Sequence, residues 1–250
     1  MSDREDRSPG YALGPIEVPR AADVLADRLR AQILSGALSA GHVLPAERAL
    51  VQETGLGRAS VREALHVLEV EALVSPRLGR YGGWVVRQPG EDSITRSVDV
   101  FIRGRQIRFE ALLAAREAIE PSCAALAADN RTAEDIARID QHTQTMRECW
   151  RDLPSYLLEN VRWHLAVVKA THNELLIAFM TALGEAIHAG TNIDDFNSED
   201  VRRAALHAHD SVNQAIRAGD RDAAFRRMYR HVHAFREQAT DVPTAPRLTV

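Results

Sequence analysis

Three histidines and one amide in the second half of the chain have the residue types and spacing of a metal site. Asn160 and His164 are four residues apart in YLLENVRWHLAVV, so both project from the apolar face of one predicted helix. His209 and His231 lie on the inner stripes of two later helices. Imidazole and amide ligands from separate helices can converge on a divalent ion inside a bundle. The alternative is three separately satisfied core histidines, and the residues alone leave both interpretations open.

One arginine in the same half is predicted to lie among apolar side chains. Arg116 falls on the helical stripe that contains Phe109, Leu112 and Cys123, where an unpaired cation would be costly. An internal ion pair with Glu120, four residues further on, would explain its position. Alternatively, Arg116 holds the carboxylate of a small effector through two parallel hydrogen bonds. Both interpretations remain open at this point.

A second chemical pattern lies in the first half of the chain, where arginines recur on one face of a predicted helix. Arg58 and Arg62 are four residues apart and share the leading, polar face of that helix. Arginine can hold O6 and N7 of guanine with two hydrogen bonds, which discriminate against other bases by about 1–3 kcal/mol. Ser60 on the same helix and Arg48 on the preceding one complete the candidate DNA contacts.

Two helices and a glycine-rich ribbon must position these side chains. Residues 44–86 predict a short helix, a glycine-marked turn, a second helix and a two-stranded ribbon. Near the ribbon tip, Arg77, Gly79 and Arg80 combine positive charge with backbone that can approach the minor groove closely. The pattern is typical of a helix-turn-helix with a wing, whose second helix enters the major groove. The alternative is a surface helix with scattered arginines.

Beyond the ribbon, the apolar residues recur at helical spacing and no strand alternation is evident. The predicted fold class is mainly α, with an N-terminal winged helix-turn-helix that has a small β-ribbon, followed by an all-α bundle of six or seven helices. A length of 250 residues suits two domains. The predicted segments are a mobile tail at 1–19, a DNA-binding domain at 20–87, a linker at 88–92, a helical domain at 93–240 and a C-terminal tail at 241–250.

The overall composition limits the possible location and partners of the chain. No apolar run approaches the length of a membrane span and no signal peptide is recognised, so the expected location is cytoplasmic, without a membrane partner. The formal net charge of −4 is unusual for a protein that binds nucleic acid. It does not exclude DNA binding, because a local basic face matters more than the total charge.

The first part of the chain resembles the winged helix-turn-helix domain of the GntR family of bacterial transcription regulators. The matching stretches are LRAQILSGALSAGHVLPAERAL, GLGRASVREALHVLEVEALV and RLGRYGGWVV. The resemblance implies that Arg48, Arg58 and Arg62 are the main operator contacts, with Gly79 and its wing neighbours in the minor groove. The family usually has serine or threonine where this chain has Gly57, a weaker helix cap, so modest destabilisation is expected.

The second part resembles the FCD effector-binding domain of the FadR branch of that family. The matching stretches are LLAAREAIEPSCAALAA, WHLAVVKATHNELL and AHDSVNQAIRAGDRDAAFRRMYRH. The resemblance implies a divalent metal on Asn160, His164, His209 and His231, and an effector pocket that includes Arg116. The first of these ligands is usually aspartate, and a neutral amide binds metal more weakly. Zinc, nickel and manganese are all compatible with ligands rich in imidazole.

The expected function is that of a homodimeric, ligand-responsive transcription regulator. Each subunit would bind half of a roughly palindromic operator in double-stranded DNA, because a two-fold dimer requires a two-fold site. A small carboxylic acid, bound by Arg116 and Glu120 in the pocket, is expected to relieve repression. The alternatives are a regulator for which the metal itself is the signal, and a metal-dependent enzyme. The histidines have no adjoining glutamate base as in HExxH, so an enzyme is not expected.

Overall fold

Residues 18–77, 83–88, 90–191 and 197–240 are described by the computed structural model of this chain. Within these residues, the elements are α1 (Ala21–Leu34), α2 (Glu47–Thr54), α3 (Arg58–Val70), β1 (Val74–Arg77), β2 (Gly83–Val86), α4 (Glu91–Gly104), α5 (Phe109–Asn130), α6 (Ala133–Glu148), α7 (Leu153–Lys169), α8 (Glu174–Thr191), α9 (Glu199–Ala218) and α10 (Arg221–Thr240). The predicted mobile tail up to residue 17, the C-terminal tail from residue 241, and the wing residues Gly79 and Arg80 lie outside the described residues.

The first compact unit, up to residue 89, is the winged helix-turn-helix that the sequence predicts. Helix α2 ends at Gly55, which adopts a left-handed conformation (φ 71°) and donates its N–H to the carbonyl of Val51. Residues without a Cβ adopt this conformation with little strain, so the turn follows from the glycine. Helix α3 then begins directly after Gly57, which caps it without a side-chain hydrogen bond, as the sequence implies.

The core of this unit fixes which face of α3 is exposed. Val61, Leu65 and Leu68 on α3 are fully buried against the other helices and the ribbon. The ribbon is antiparallel, with Val74 opposite Val86 and Arg77 opposite Gly83. Since the buried residues recur at helical spacing, the arginines between them must face outward.

The second compact unit, from residue 90, is a bundle of the seven helices α4–α10 among the described residues, which confirms the predicted all-α architecture. Helix α5 lies at its centre, with eleven buried residues on several faces, and packs along α10. Helix α4 begins at Glu91, so the last two residues of the predicted linker are helical. The described helices include none long and apolar enough to cross a membrane.

A chain of buried polar contacts ties three of these helices together behind the predicted metal site. Trp163 on α7 is fully buried, and its Nε1 donates to Oδ1 of Asn213 on α9 at 3.0 Å. The Nδ2 of Asn213 donates in turn to the hydroxyl of Thr143 on α6 at 2.9 Å. Buried polar groups with satisfied partners favour one arrangement of the helices over others. This arrangement positions Trp163, which stacks on the ring of His209 with 3.8 Å between centroids.

Gly190 lies one residue before the end of α8 at Thr191, where a neighbouring ring approaches its backbone closely. A Cβ at this position would lie 2.3 Å from Cδ2 and Cε2 of Phe109, whose ring is fully buried in the bundle core.

We therefore expect Gly190→Ala to destabilise the protein by roughly 1–3 kcal/mol, because the ring of Phe109 must move within a filled core. Chemical denaturation followed by circular dichroism measures this change. Gly104→Ala is the matched control, since a Cβ at Gly104 would meet no atom within 4 Å. Equal free energies of unfolding for both variants and the wild type would contradict the packing argument.

Candidate functional site

The three predicted histidine ligands come together in the interior of the bundle. They are supplied by α7 (His164), α9 (His209) and α10 (His231), and their ligand nitrogens all lie within 4.8 Å of one another. The Nε2 atoms of His209 and His231 are 3.0 Å apart, and those of His231 and His164 are 3.4 Å apart. Two nitrogens bound at about 2.0–2.1 Å to one tetrahedral or octahedral ion are separated by about 2.9–3.4 Å. Both of these nitrogen–nitrogen distances in the histidine cluster therefore fit a shared divalent ion.

Burial keeps these imidazoles in the neutral form, which is the form that binds metal. Loss of hydration lowers the pKa of His164 well below its ordinary value, and the positive charge of Arg116 lowers it further. Loss of hydration is also the largest cause of the lowered pKa of His209 and of His231, with neighbouring imidazoles next. His164 and His209 are buried, whereas His231 is partly exposed.

Arg116 and Glu120 form a buried ion pair beside the histidine cluster, as one of the two interpretations of the sequence proposes. The Nε of Arg116 donates to Oε1 of Glu120 at 2.5 Å, and the two side chains are 5% and 2% exposed. A nitrogen of the same guanidinium, Nη2, also contacts Nε2 of His164. The ion pair does not remove Arg116 from the site, because the guanidinium also contacts the histidine cluster through Nη2.

The second oxygen of Glu120 lies against the other ring nitrogen of His164. Oε2 of Glu120 and Nδ1 of His164 are 2.6 Å apart, but the geometry of the contact is not that of a hydrogen bond. We interpret the contact as electrostatic, since the distance is short and both atoms are buried. A carboxylate at this position favours the tautomer that carries its proton on Nδ1, which leaves the lone pair of Nε2 directed at the cluster.

Asn160 faces the same space. Together with Arg116 it lines two small chambers, one of about 20 Å³ that His164 also lines and one of about 30 Å³ that His231 also lines. A water molecule needs about 10–15 Å³, so each chamber has room for an ion or for one or two waters. The fold thus brings all six predicted metal and effector residues into one region.

The first unit brings together three of the predicted DNA contacts. Arg48, Arg58 and Arg62 are exposed and line one cleft of about 420 Å³ with Gly83 and Trp84 of the ribbon. Ser60 lies on the same helix but does not line the cleft, and neither does Arg77 at the end of β1.

Glu47 is a residue of this surface that the sequence analysis missed. It lines the same cleft, and its Oε2 accepts a hydrogen bond from Nη2 of Arg62 at 2.9 Å. An exposed pair of this kind contributes only about 0–1 kcal/mol, so Arg62 can exchange Glu47 for a base or a phosphate at little cost. The only signal in the sequence is the glutamate before Arg48 in PAER, which does not reveal its partner fifteen residues away.

Comparison with known proteins identifies a DNA-binding domain and a helical domain in the same parts of the chain. The model of bacterial regulatory proteins of the gntR family matches residues 21–90, and that of the FCD domain matches residues 111–234. The chain is 32% identical over 220 residues to the putative L-lactate dehydrogenase operon regulatory protein of Escherichia coli (strain K12), covering 85% of this chain and 84% of that protein. It is 26% identical over 244 residues to the transcriptional repressor NanR of Cronobacter sakazakii, covering 93% and 92%.

A solved structure supports the fold. The GntR protein of Streptococcus agalactiae superposes with a TM-score of 0.65 at 24% identity, covering 86% of this chain and 99% of that one. A winged helix-turn-helix that presents arginines, followed by an FCD domain, is that of a DNA-binding transcription regulator rather than an enzyme. The chain belongs to the GntR family and carries an FCD effector domain.

The histidine cluster predicts how stability depends on pH in metal-free protein. Unfolded histidines take up protons near pH 6.5, whereas the lowered pKa values of His164, His209 and His231 keep the folded ones neutral. The unfolded state then binds more protons, so we expect the free energy of unfolding to fall as the pH drops from about 7.5 to 5.5.

The measurement is urea denaturation at several pH values in the presence of a chelator. His209→Gln should reduce the slope by up to about 1.4 kcal/mol per pH unit, because one proton-binding difference is removed. His207→Gln, at an exposed position two residues earlier on α9, is the control for the same substitution outside the histidine cluster. Equal slopes for His209→Gln and the wild type would refute the assignment.

Proposed function

We propose that this chain is a homodimeric repressor of the FadR branch of the GntR family, acting in the cytoplasm on a roughly palindromic operator. Its affinity for DNA would be controlled by a small organic acid bound beside a divalent metal in the helical domain. The observation that carries the proposal is the convergence of three imidazole nitrogens next to the buried guanidinium of Arg116. Such a group of neutral ligands and one cation suits a metal ion and an anion together.

The DNA-reading surface would consist of Arg48, Arg58, Ser60, Arg62, Arg77, Gly79 and Arg80. Arg58 and Arg62 lie on the exposed face of α3, where side chains can reach base edges in the major groove. Arg48 on α2 would contact phosphate, and the wing residues would contribute charge in the minor groove. A second subunit would place an identical α3 on the other half-site, about one helical turn away.

A divalent ion would be held by Asn160, His164, His209 and His231. It would supply concentrated positive charge with positions open to a carboxylate. Glu120 would orient His164, and Arg116 would bind the acid from the side opposite the ion. Zinc, nickel and manganese all remain compatible with this set of ligands.

The acid would be a hydroxy, keto or sugar acid. The name of the Escherichia coli relative refers to an L-lactate dehydrogenase operon, which supports an organic acid as effector. The name of the Cronobacter sakazakii relative refers to a repressor, which supports repression rather than activation. Ligand binding changes operator affinity only if the acid binds the two dimer arrangements unequally. Reversing a 99:1 preference requires about 5.5 kcal/mol of differential affinity.

One observation favours a second candidate, in which the metal itself is the signal. The charge of Arg116 is already balanced by Glu120 at 2.5 Å, so Arg116 has less to gain from an organic acid. In that case operator affinity would follow the metal concentration and would not respond to any acid.

For the metal, we expect about one zinc, nickel or manganese ion per subunit of untagged protein. His164→Ala should lose the ion, because three ligands instead of four remain in the proposed set. Asn160→Asp should retain it more tightly, since a carboxylate is a stronger ligand than an amide. Elemental analysis after dialysis measures both effects, and His207→Ala at an exposed position is the control. Equal metal contents in wild type and His164→Ala would overturn the site.

For DNA, we expect Arg58→Ala and Arg62→Ala each to weaken specific binding by about 5-fold to 150-fold, the equivalent of one lost bidentate base contact. The probe is a duplex selected by the wild-type protein from a random library, and fluorescence anisotropy measures its affinity. Arg28→Ala, at an exposed position on α1, is the control for a general loss of positive charge. Specific binding that survives in both α3 variants would exclude α3 as the reading helix.

A further inference from the structure

An open groove of about 300 Å³ lies between α9 and α10 on the surface of the bundle. Its walls are built largely from small side chains, among them Ala204 and Ala208 on α9 and Ala234 on α10. Its volume falls at the lower end of the range of about 300–1,000 Å³ that is typical of small-molecule sites.

The groove leads to the histidine cluster. His231 lines both the groove and the inner chamber of about 30 Å³ that contains Arg116 and Asn160. His231 is also partly exposed, whereas His164 and His209 are buried. Val201, Ala205 and Phe235 are the other residues that line both the groove and the chamber, so the two cavities adjoin at these side chains.

The inner chambers are too small for an organic acid. At about 20 Å³ and about 30 Å³ they have the capacity of an ion or of one or two water molecules. An acid that reaches Arg116 or His231 must therefore keep most of its body elsewhere. The groove is the adjoining space that is large enough, and the ring of Phe235 stands between it and Arg116, 6.0 Å from the guanidinium carbon.

The charge of the groove suits an anion. Arg227 and Arg230 on α10 line it, and no acidic residue does so within the described part of the chain. Nη1 of Arg227 donates to the carbonyl of Ser211 at 2.5 Å, and this hydrogen bond holds the side chain of Arg227 against α9. Arg230 is exposed, and its Nε has only a long contact of 3.4 Å to the carbonyl of Arg226, so its head group can reorient towards a ligand.

We propose that the groove between α9 and α10 is the entrance and outer half of the effector site. It takes an organic acid whose carboxylate passes Phe235 and His231 to reach Arg116 and the proposed metal site, while Arg230 contacts polar groups of the acid at the outer end of the groove. This inference rests on the acid effector of the proposed function and adds a location, a route and a second cationic contact to it.

Two pairs of variants test the groove on nickel-loaded full-length protein, with isothermal titration calorimetry against L-lactate, pyruvate, citrate and D-glucuronate. Arg230→Ala should lower the affinity for the acid that the wild type binds by about 10-fold to 100-fold, because one charge-assisted hydrogen bond is lost. Its control is Arg226→Ala, at an exposed position on the same helix outside the groove. Ala204→Phe should weaken binding by at least as much by filling the groove, and Gln214→Phe on the outer face of α9 is its control.

Elemental analysis of all four variants must show the same nickel content as the wild type, since none of these residues belongs to the proposed ligand set. Selective loss of acid binding in Arg230→Ala and Ala204→Phe supports the groove. Acid binding that is equal in these variants and in the wild type overturns the groove and leaves the acid effector intact. A wild-type protein that binds nickel but none of the four acids overturns the acid effector and the groove together.

Discussion

The burial of one guanidinium constrains the rest of the helical domain. Arg116 is almost fully enclosed on the central helix, where an unpaired charge would be prohibitively costly, and Glu120 one turn later neutralises it. The same carboxylate is fixed by this pairing in a position where its second oxygen meets His164 at 2.6 Å. The ion pair therefore does more than satisfy α5 internally, because it sets the orientation of an imidazole contributed by α7.

The histidine cluster is assembled by packing rather than by local chain geometry. Each of its three members lies on a different helix, and Trp163, which is fixed through Asn213 and Thr143, stacks on His209 from behind. A substitution in this polar chain would therefore alter the cluster without touching any of its ligand atoms. In the first unit, by contrast, one helix supplies both Arg58 and Arg62, so their spacing is determined by the α-helical repeat alone.

This difference explains how much the sequence could predict. Glycine turns and helical periodicity predict the winged helix, and the burial of α3 agrees with them residue by residue. The inward histidines were predicted because helix faces can be read from spacing. The pairing of Glu47 with Arg62, the contact of Gly190 with Phe109 and the groove between α9 and α10 depend on how separate elements approach one another. Spacing within one element contains no information about such distances.

The charges within the proposed site link its two ligands. Arg116 and Glu120 cancel each other and the buried histidines are neutral, so a divalent ion would leave a net charge of about +2 in a medium of low dielectric constant. Asn160 removes none of this charge, whereas an aspartate would remove one unit. The carboxylate of an acid therefore stabilises the ion as much as the ion stabilises the acid, because coupling between two binding sites is reciprocal. In the proposed site, asparagine rather than aspartate at position 160 would therefore increase the gain in metal affinity that a bound acid provides.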